Sequence, residues 1–282
     1  MGQALRERGH TRPGIWSAHA VMEAPDAVRA LHVEFIHAGA EVVTACNYPA
    51  TPQRLDEAGL GHRFGEIVGR AAAIAREARD QAGRPGVRVA GSLPPLRASY
   101  EPNDQDAARM EDEYGRIAEA LGEVDLFLCE TMASAAEARA AARAGAAQGK
   151  PVWVGWTLRD EGDGRLRSGE SVAEGLAAIE EISGIGAVLF NCCTPAAISA
   201  GLPALRAHAR VPIGAYANAF RPIDKAWTRQ GKWRDLDPTM TPARFADVAR
   251  PWLADGLDIL GGCCGAGPAH IARLRTLLDG AA

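Results

Sequence analysis

Asp125-Leu126-Phe127-Leu128-Cys129-Glu130, followed within four residues by Ser134-Ala135-Ala136-Glu137, carries the reading on which the fold turns. The first part is a short apolar run of strand length. The second is a helix start, because Ser and Glu three residues apart can cap each other's backbone N–H groups. Strand then helix is one βα unit, and the pattern repeats in both directions. Apolar runs at 41–44, 87–91, 152–157, 187–192, 212–217 and 258–261 alternate with helical patterns, as in a parallel sheet. Phe64, Ile67, Val68 and Ala71, and later Phe245, Val248, Ala249 and Trp252, recur at helical spacing, so one face of each helix can cover the sheet. Ser171 with Glu174 repeats the capping box, and Thr194-Pro195 and Thr241-Pro242 place a cap residue before a first-turn proline. A helix at 25–37 has no strand before it. The count is therefore seven strands, where a closed barrel of βα units uses eight.

The chain has 282 residues, 47% of them hydrophobic, enough for one α/β barrel or two smaller domains. No internal repeat, low-complexity segment or long interior linker divides it, so residues 1–282 are expected to form one domain. The formal charge of -4, with basic residues scattered among acids, argues against a nucleic-acid partner. No stretch approaches the roughly 20 apolar residues of a membrane helix, and the charged amino terminus lacks the apolar region of a signal peptide. A soluble cytoplasmic protein acting on small molecules is expected. Cysteines at 46, 129, 192, 193, 263 and 264 are not spaced like a secreted disulfide framework, which favours reduced thiols or thiolate ligands.

In a parallel barrel the carboxyl ends of the strands face the catalytic mouth. Here those ends deliver Thr44 and Asn47, Ser92, Glu130 and Thr131, Thr157, Asn191 and Cys192, Tyr216 and Asn218, and finally Gly261-Gly262-Cys263-Cys264-Gly265. Adjacent cysteines on a regular strand would point to opposite faces, but Gly261, Gly262 and Gly265 can break the strand and turn both thiols inward. With Cys192 they make a three-thiolate site with an open fourth position, the pattern of catalytic Zn2+. The competing reading of the Gly-Gly-Cys-Cys-Gly stretch is a tight turn with two small buried thiols. Cys193, Cys46 and Cys129 read as packing. Glu130 ends an apolar run where a carboxylate is costly to bury alone; a ligand amine or an arginine on a neighbouring loop would compensate it. Asn191 and Asn218 fit substrate binding and loop support equally. Tyr48, Trp156, Tyr216, Phe220 and Trp227 are candidates to hold a cationic ligand on their faces. The irregular stretch 219–239 reads as a loop over the mouth.

At these residues the sequence resembles the homocysteine S-methyltransferase family. Asn191-Cys192, then Gly261-Gly262-Cys263-Cys264-Gly265, then Gly267-Pro268-Ala269-His270-Ile271 look like its zinc-binding signature in order and setting. Ile15-Trp16-Ser17-Ala18, Gly39-Ala40-Glu41-Val42-Val43-Thr44, Gly91-Ser92 and Glu130-Thr131 look like further landmarks. The resemblance implies a (β/α)8 TIM barrel with Cys192, Cys263 and Cys264 as ligands of Zn2+ and Glu130 holding the amino group of homocysteine. Thr131, Ser92, Asn191, Asn218 and Tyr48 complete the expected substrate-binding set. The implied reaction is transfer of a methyl group from S-methylmethionine or a related sulfonium to the homocysteine thiol, giving methionine, with betaine the second-choice donor. The family opens with a strand ending in Asp-Gly-Gly, whereas this chain starts at Met1-Gly2-Gln3, so the barrel is expected to lack its first strand, and the native start to lie upstream. Cys46-Asn47 and Ala266 also depart from the family pattern, on the donor side. Two other function classes compete: a noncatalytic zinc- or redox-responsive barrel, and a barrel lyase with incidental cysteines.

Overall fold

All seven apolar runs form strands, and the computed structural model describes them within residues 1–12, 14–221 and 236–280. Three helices come first, α1 (Gly2–Glu7), α2 (Trp16–Glu23) and α3 (Pro25–His37), and then strand β1 (Val42–Thr44). Next are α4 (Pro52–Glu57), α5 (Phe64–Gln81), β2 (Arg88–Leu93), α6 (Ala107–Leu121), β3 (Leu126–Met132) and α7 (Ala135–Ala146). The second half runs β4 (Val152–Trp156), α8 (Val172–Ala177), β5 (Ile185–Asn191), α9 (Pro195–His208), β6 (Ile213–Ala217), α10 (Pro242–Ala254), β7 (Ile259–Gly262) and α11 (Pro268–Asp279). The strands pair in sequence order and every pairing is parallel.

The helix starts follow the local sequence with one exception. Ser171 and Glu174 form the reciprocal box, at 3.2 and 2.7 Å, and Thr194 and Thr241 each accept a first-turn N–H. Ser134 accepts from the Glu137 N–H, but Glu137 does not reciprocate. Its Oε1 accepts instead from the Leu96 N–H, Asn103 Nδ2 and the Tyr114 hydroxyl, each at 3.2 Å. A completely buried carboxylate gains more from three donors than from one half-exposed cap N–H.

Alternation along each strand sorts residues into two cores. Val89, Phe127, Val154, Val188, Phe190 and Ala215 face the helices, together with the buried faces of α5 and α10. Ala90, Leu126, Leu128, Trp153, Ala187 and Leu189 face inward, with Val42, Tyr216 and Ile259 beside them. Residues from all seven strands thus converge on one interior, which makes the sheet a strongly curled one, a (β/α)8 barrel missing one strand. Among the described residues, β1 pairs only with β2 and β7 only with β6. The helix layer nevertheless closes over that gap: Arg275 of α11 reaches Glu41, just before β1, at 3.4 Å. Its side chain also lies against Gly39, at 2.6 Å from where a Cβ would stand. Gap and interior form a continuous cavity of about 970 Å³, running from the β1 and β7 edges up to the carboxyl ends of the strands. No described helix is long and apolar enough to cross a membrane.

Candidate metal centre

The sulfurs of Cys192, Cys263 and Cys264 all lie within 4.8 Å of one another. They come from two strand ends by two different devices. In β5, Ala187 and Leu189 point inward and Val188 and Phe190 outward, so strict alternation would send Cys192 out toward the helices. Cys192 instead takes a left-handed backbone, φ 54°, which turns it into the cavity beside Asn191 and sends Cys193 into the helix-side core. Burial then pushes the Cys193 thiol up to about 12, the behaviour of an inert packing residue. Cys129 is likewise packed on the helix side, and Cys46 in a smaller cluster beneath α1 and α2.

At β7 the glycines divide the work differently from the expectation that all three supply unusual backbone angles. Of Gly261, Gly262 and Gly265, only Gly265 has a positive φ, 82°. Gly262 is needed for space, because a Cβ there would stand 2.4 Å from the Ala266 side chain. The tight Cys263–Ala266 turn, closed by the Ala266 N–H on the Cys263 carbonyl at 3.2 Å, therefore folds back over the strand end and presents both cysteines. Asn218 holds it in place by accepting from the Cys264 N–H at 3.2 Å. Downstream, His270 Nδ1 accepts from the Gly267 N–H at 3.1 Å and Nε2 donates to the Met240 carbonyl at 3.0 Å, fixing the start of α11.

The donor set suits a soft or borderline cation. Cys192 and Cys264 Sγ are 3.7 Å apart, and a tetrahedral site with metal–sulfur bonds of about 2.3 Å has an edge of about 3.8 Å. The proximity of the other two sulfurs, with burial adding to it, holds the Cys263 thiol well above its ordinary range. A divalent cation among them would reverse that effect.

Beneath the cysteines, Glu130 faces the cavity and is 8% exposed. Among the described residues no Lys, Arg or His forms an ion pair with it, so the arginine considered as its partner is not found there. It accepts a hydrogen bond from the Ser92 hydroxyl, at 2.5 Å. Burial raises the carboxyl to about 7, against the opposing Ser92 bond, and the nearby Cys192 adds to the rise.

Of the other expected substrate residues, Tyr48 lines the cavity and shares a 2.8 Å hydrogen bond with Ser99. Ser92, Thr131, Asn191 and Asn218 stand behind the lining. Asn191 accepts from the Thr131 N–H at 2.8 Å and donates to the Thr131 hydroxyl at 2.9 Å. Thr131 itself has φ 64°, the same inversion as Cys192, at the end of β3. Asn191, Thr131 and Asn218 thus tie strand ends together. Of the aromatic candidates, Tyr216 and Phe220 line the cavity. Trp156 does not: it falls on the outward parity of β4 and packs in the helix-side core, next to Gly175 of α8. Trp227 lies outside the described residues, as does most of the 219–239 stretch. One cavity residue carries no sequence signal at all. Tyr100, in the irregular connection between β2 and α6, brings its hydroxyl 2.9 Å from Cys192 Sγ.

Compared with known families, residues 1–278 match the one described as Homocysteine S-methyltransferase. The homocysteine S-methyltransferase of Escherichia coli (strain K12) is 27% identical over 301 residues, covering 98% of this chain and 92% of that protein. A selenocysteine methyltransferase of Astragalus bisulcatus is 26% identical, with 99% and 90% covered. Among solved structures, the metallated form of the homocysteine methyltransferase MmuM from Escherichia coli superposes with a TM-score of 0.81 at 25% identity, over 98% of this chain and 93% of that one.

Proposed function

The chain belongs to the homocysteine S-methyltransferase family, and from that premise we propose that it moves a methyl group from a small sulfonium donor, S-methylmethionine first, to the thiol of homocysteine. Residues 1–282 act as one barrel domain in this reading. The observation that carries it is the pairing of a three-sulfur cluster with a buried carboxylate that has no described cationic partner, both facing one cavity.

Cys192, Cys263 and Cys264 would hold Zn2+, as the metallated form of the Escherichia coli relative supports. A thiol with a pKa near about 8.5 is mostly protonated at neutral pH, and bound zinc would supply the Lewis acidity that makes the substrate sulfur a thiolate. The chain's own residues do the rest. Glu130 binds the substrate ammonium, which supplies the charge partner its burial calls for. Ser92 orients that carboxylate by its hydrogen bond. Asn191, Thr131 and Asn218 keep the strand ends in register, so the distance between ammonium site and sulfur cluster is set before substrate arrives. The lone pair of the substrate sulfur forms the new S–CH3 bond as the donor's S–CH3 bond breaks, and that electron pair leaves with the donor sulfur as a neutral thioether. The leaving group departs neutral and needs no proton, so this step calls for no general acid. The ring faces of Tyr48, Tyr216 and Phe220 in the same cavity suit a sulfonium cation.

The test is zinc content and methionine formation measured together, with S-methylmethionine as donor, on the wild-type chain and Cys263→Ala. One zinc per chain and methionine formation, both lost in the variant, are expected. Zinc without turnover on any sulfonium or on betaine would refute the donor assignment, and a wild-type chain that retains no zinc would refute the centre itself.

A further inference from the structure

An amino acid bound by its ammonium at Glu130 and by its sulfur at the cysteine cluster still carries a carboxylate into the cavity, where it must find a hydrogen-bond donor. No cation meets it there. Of the Lys, Arg and His side chains among the described residues, only His32, Arg88 and Arg275 border the cavity. Arg88 begins β2 and stacks over Trp153, 5.1 Å from the ring centre, and Arg275 is paired with Glu41, just before β1. Both stand at the amino ends of the strands, the end opposite the cysteines. His32 is pushed down to about 3, chiefly by burial, and is neutral. The hydroxyls of Tyr48 and Tyr100 are engaged with Ser99 and Cys192. Tyr216 differs: its ring borders the cavity, and its buried hydroxyl has no hydrogen-bond partner among the described residues, an unfavourable state for a donor shielded from water.

Strand register fixes where that hydroxyl lies. Tyr216 pairs with Asn191 on one side and Gly261 on the other, so β6 stands between the two strands that end in the cysteines. The ring reaches over to β4, where its oxygen is 3.2 Å from where a Cβ on Gly155 would stand. Gly155 and Glu130 each come two residues after the paired, inward-facing Trp153 and Leu128 of the adjacent strands β4 and β3, so both face the interior in the same layer. The phenol therefore runs from the foot of the cysteine cluster to the side of Glu130. Burial, and after it the neighbouring Glu130, Cys263 and Cys192, hold the phenol well above its ordinary range, so it keeps its proton and can donate.

We infer that Tyr216 is a specificity-determining residue that selects amino-acid thiols, its hydroxyl donating to the substrate carboxylate while Glu130 holds the ammonium. The inference deepens the proposed function and rests on it. Ammonium and carboxylate share one carbon, so fixing the first on Glu130 brings the second to a hydroxyl in the same layer. Binding gives that hydroxyl the partner it lacks in the unliganded protein and breaks no bond to do so. A site that recognises a group by hydrogen bonding rejects analogues without it, so thiols that lack the carboxylate bind less well.

The experiment is titration calorimetry of two thiols into the zinc-loaded full chain, wild type and Tyr216→Phe, with zinc content measured on both. The thiols are homocysteine and 3-mercaptopropylamine, which is homocysteine without its carboxylate. The expected result is unchanged zinc, a Kd for homocysteine raised roughly 10- to 100-fold by loss of a hydrogen bond to a charged group, and a Kd for 3-mercaptopropylamine that hardly moves. The KM for homocysteine should rise with kcat nearly constant. A merely structural tyrosine would weaken both thiols alike, so equal losses, or no loss for homocysteine, overturn the assignment of Tyr216 alone. Should the variant fail to fold, the wild type carries the test: homocysteine must bind at least about tenfold tighter than 3-mercaptopropylamine, and equal affinities overturn the inference. If the zinc-loaded wild type binds neither thiol, the proposed function falls and this inference with it.

Discussion

Replacing Glu130 with glutamine should stabilise this protein at alkaline pH while impairing substrate binding. A carboxyl raised from 4.5 to about 7, chiefly by burial, holds its proton more tightly in the folded protein than in the unfolded chain, by about 3 kcal/mol at about 1.4 kcal/mol per pH unit. Below pH 4.5 both states are protonated and that stabilisation is fully present. As pH rises from there the unfolded chain loses the proton first, so stability declines, and beyond about 7 the loss is complete. Glutamine has nearly the same shape, can still accept from Ser92, and does not titrate. Urea unfolding of metal-free, reduced wild type and Glu130→Gln, followed by circular dichroism at pH 4.5 and pH 8, should therefore show the difference shifting toward the variant by up to about 3 kcal/mol. At the same time the variant's affinity for homocysteine should fall by roughly 10- to 100-fold. Affinity for 4-mercaptobutyrate, which lacks the ammonium, should hardly change. A stability difference that is constant with pH, or that grows toward the wild type as pH rises, would mean that Glu130 already has a cationic partner in the folded chain and would refute the argument.

The cysteine pairs should behave asymmetrically: Cys263→Ala should abolish zinc binding by metal analysis, whereas Cys193→Ala, whose sulfur packs against the helices, should retain one zinc per chain. Asn218→Ala removes the acceptor of the Cys264 N–H and should weaken zinc about 10- to 100-fold in competition with a chromophoric chelator, in the range found when groups behind metal ligands are lost. Gly262→Ala places a Cβ 2.4 Å from the Ala266 side chain; it should cost about 1–3 kcal/mol in denaturant unfolding and lower zinc affinity too, because the displaced turn carries two of the three sulfurs.

Much of this protein is legible from sequence because it depends on neighbours in the chain. The seven strands, the caps at Ser171, Thr194 and Thr241, the inward placement of Glu130, and the collection of Cys192, Cys263 and Cys264 at strand ends all follow from local apolar runs, local capping and the rule that parallel strands share a functional end. The missing eighth strand is equally a matter of counting runs. What sequence could not decide is where parity is broken. Left-handed backbones at Thr131 and Cys192 reverse the alternation that would otherwise turn them toward the helices, and a non-glycine residue adopts that conformation only because distant contacts demand it. The same dependence on the assembled fold moves Glu137 from its cap to three donors on the β2–α6 side, and turns Asn191 and Asn218 into supports for neighbouring strand ends. It brings Tyr100 onto a sulfur 92 positions away in the chain. Such choices are energetic balances among groups that meet only when the sheet curls, so no stretch of sequence carries them alone.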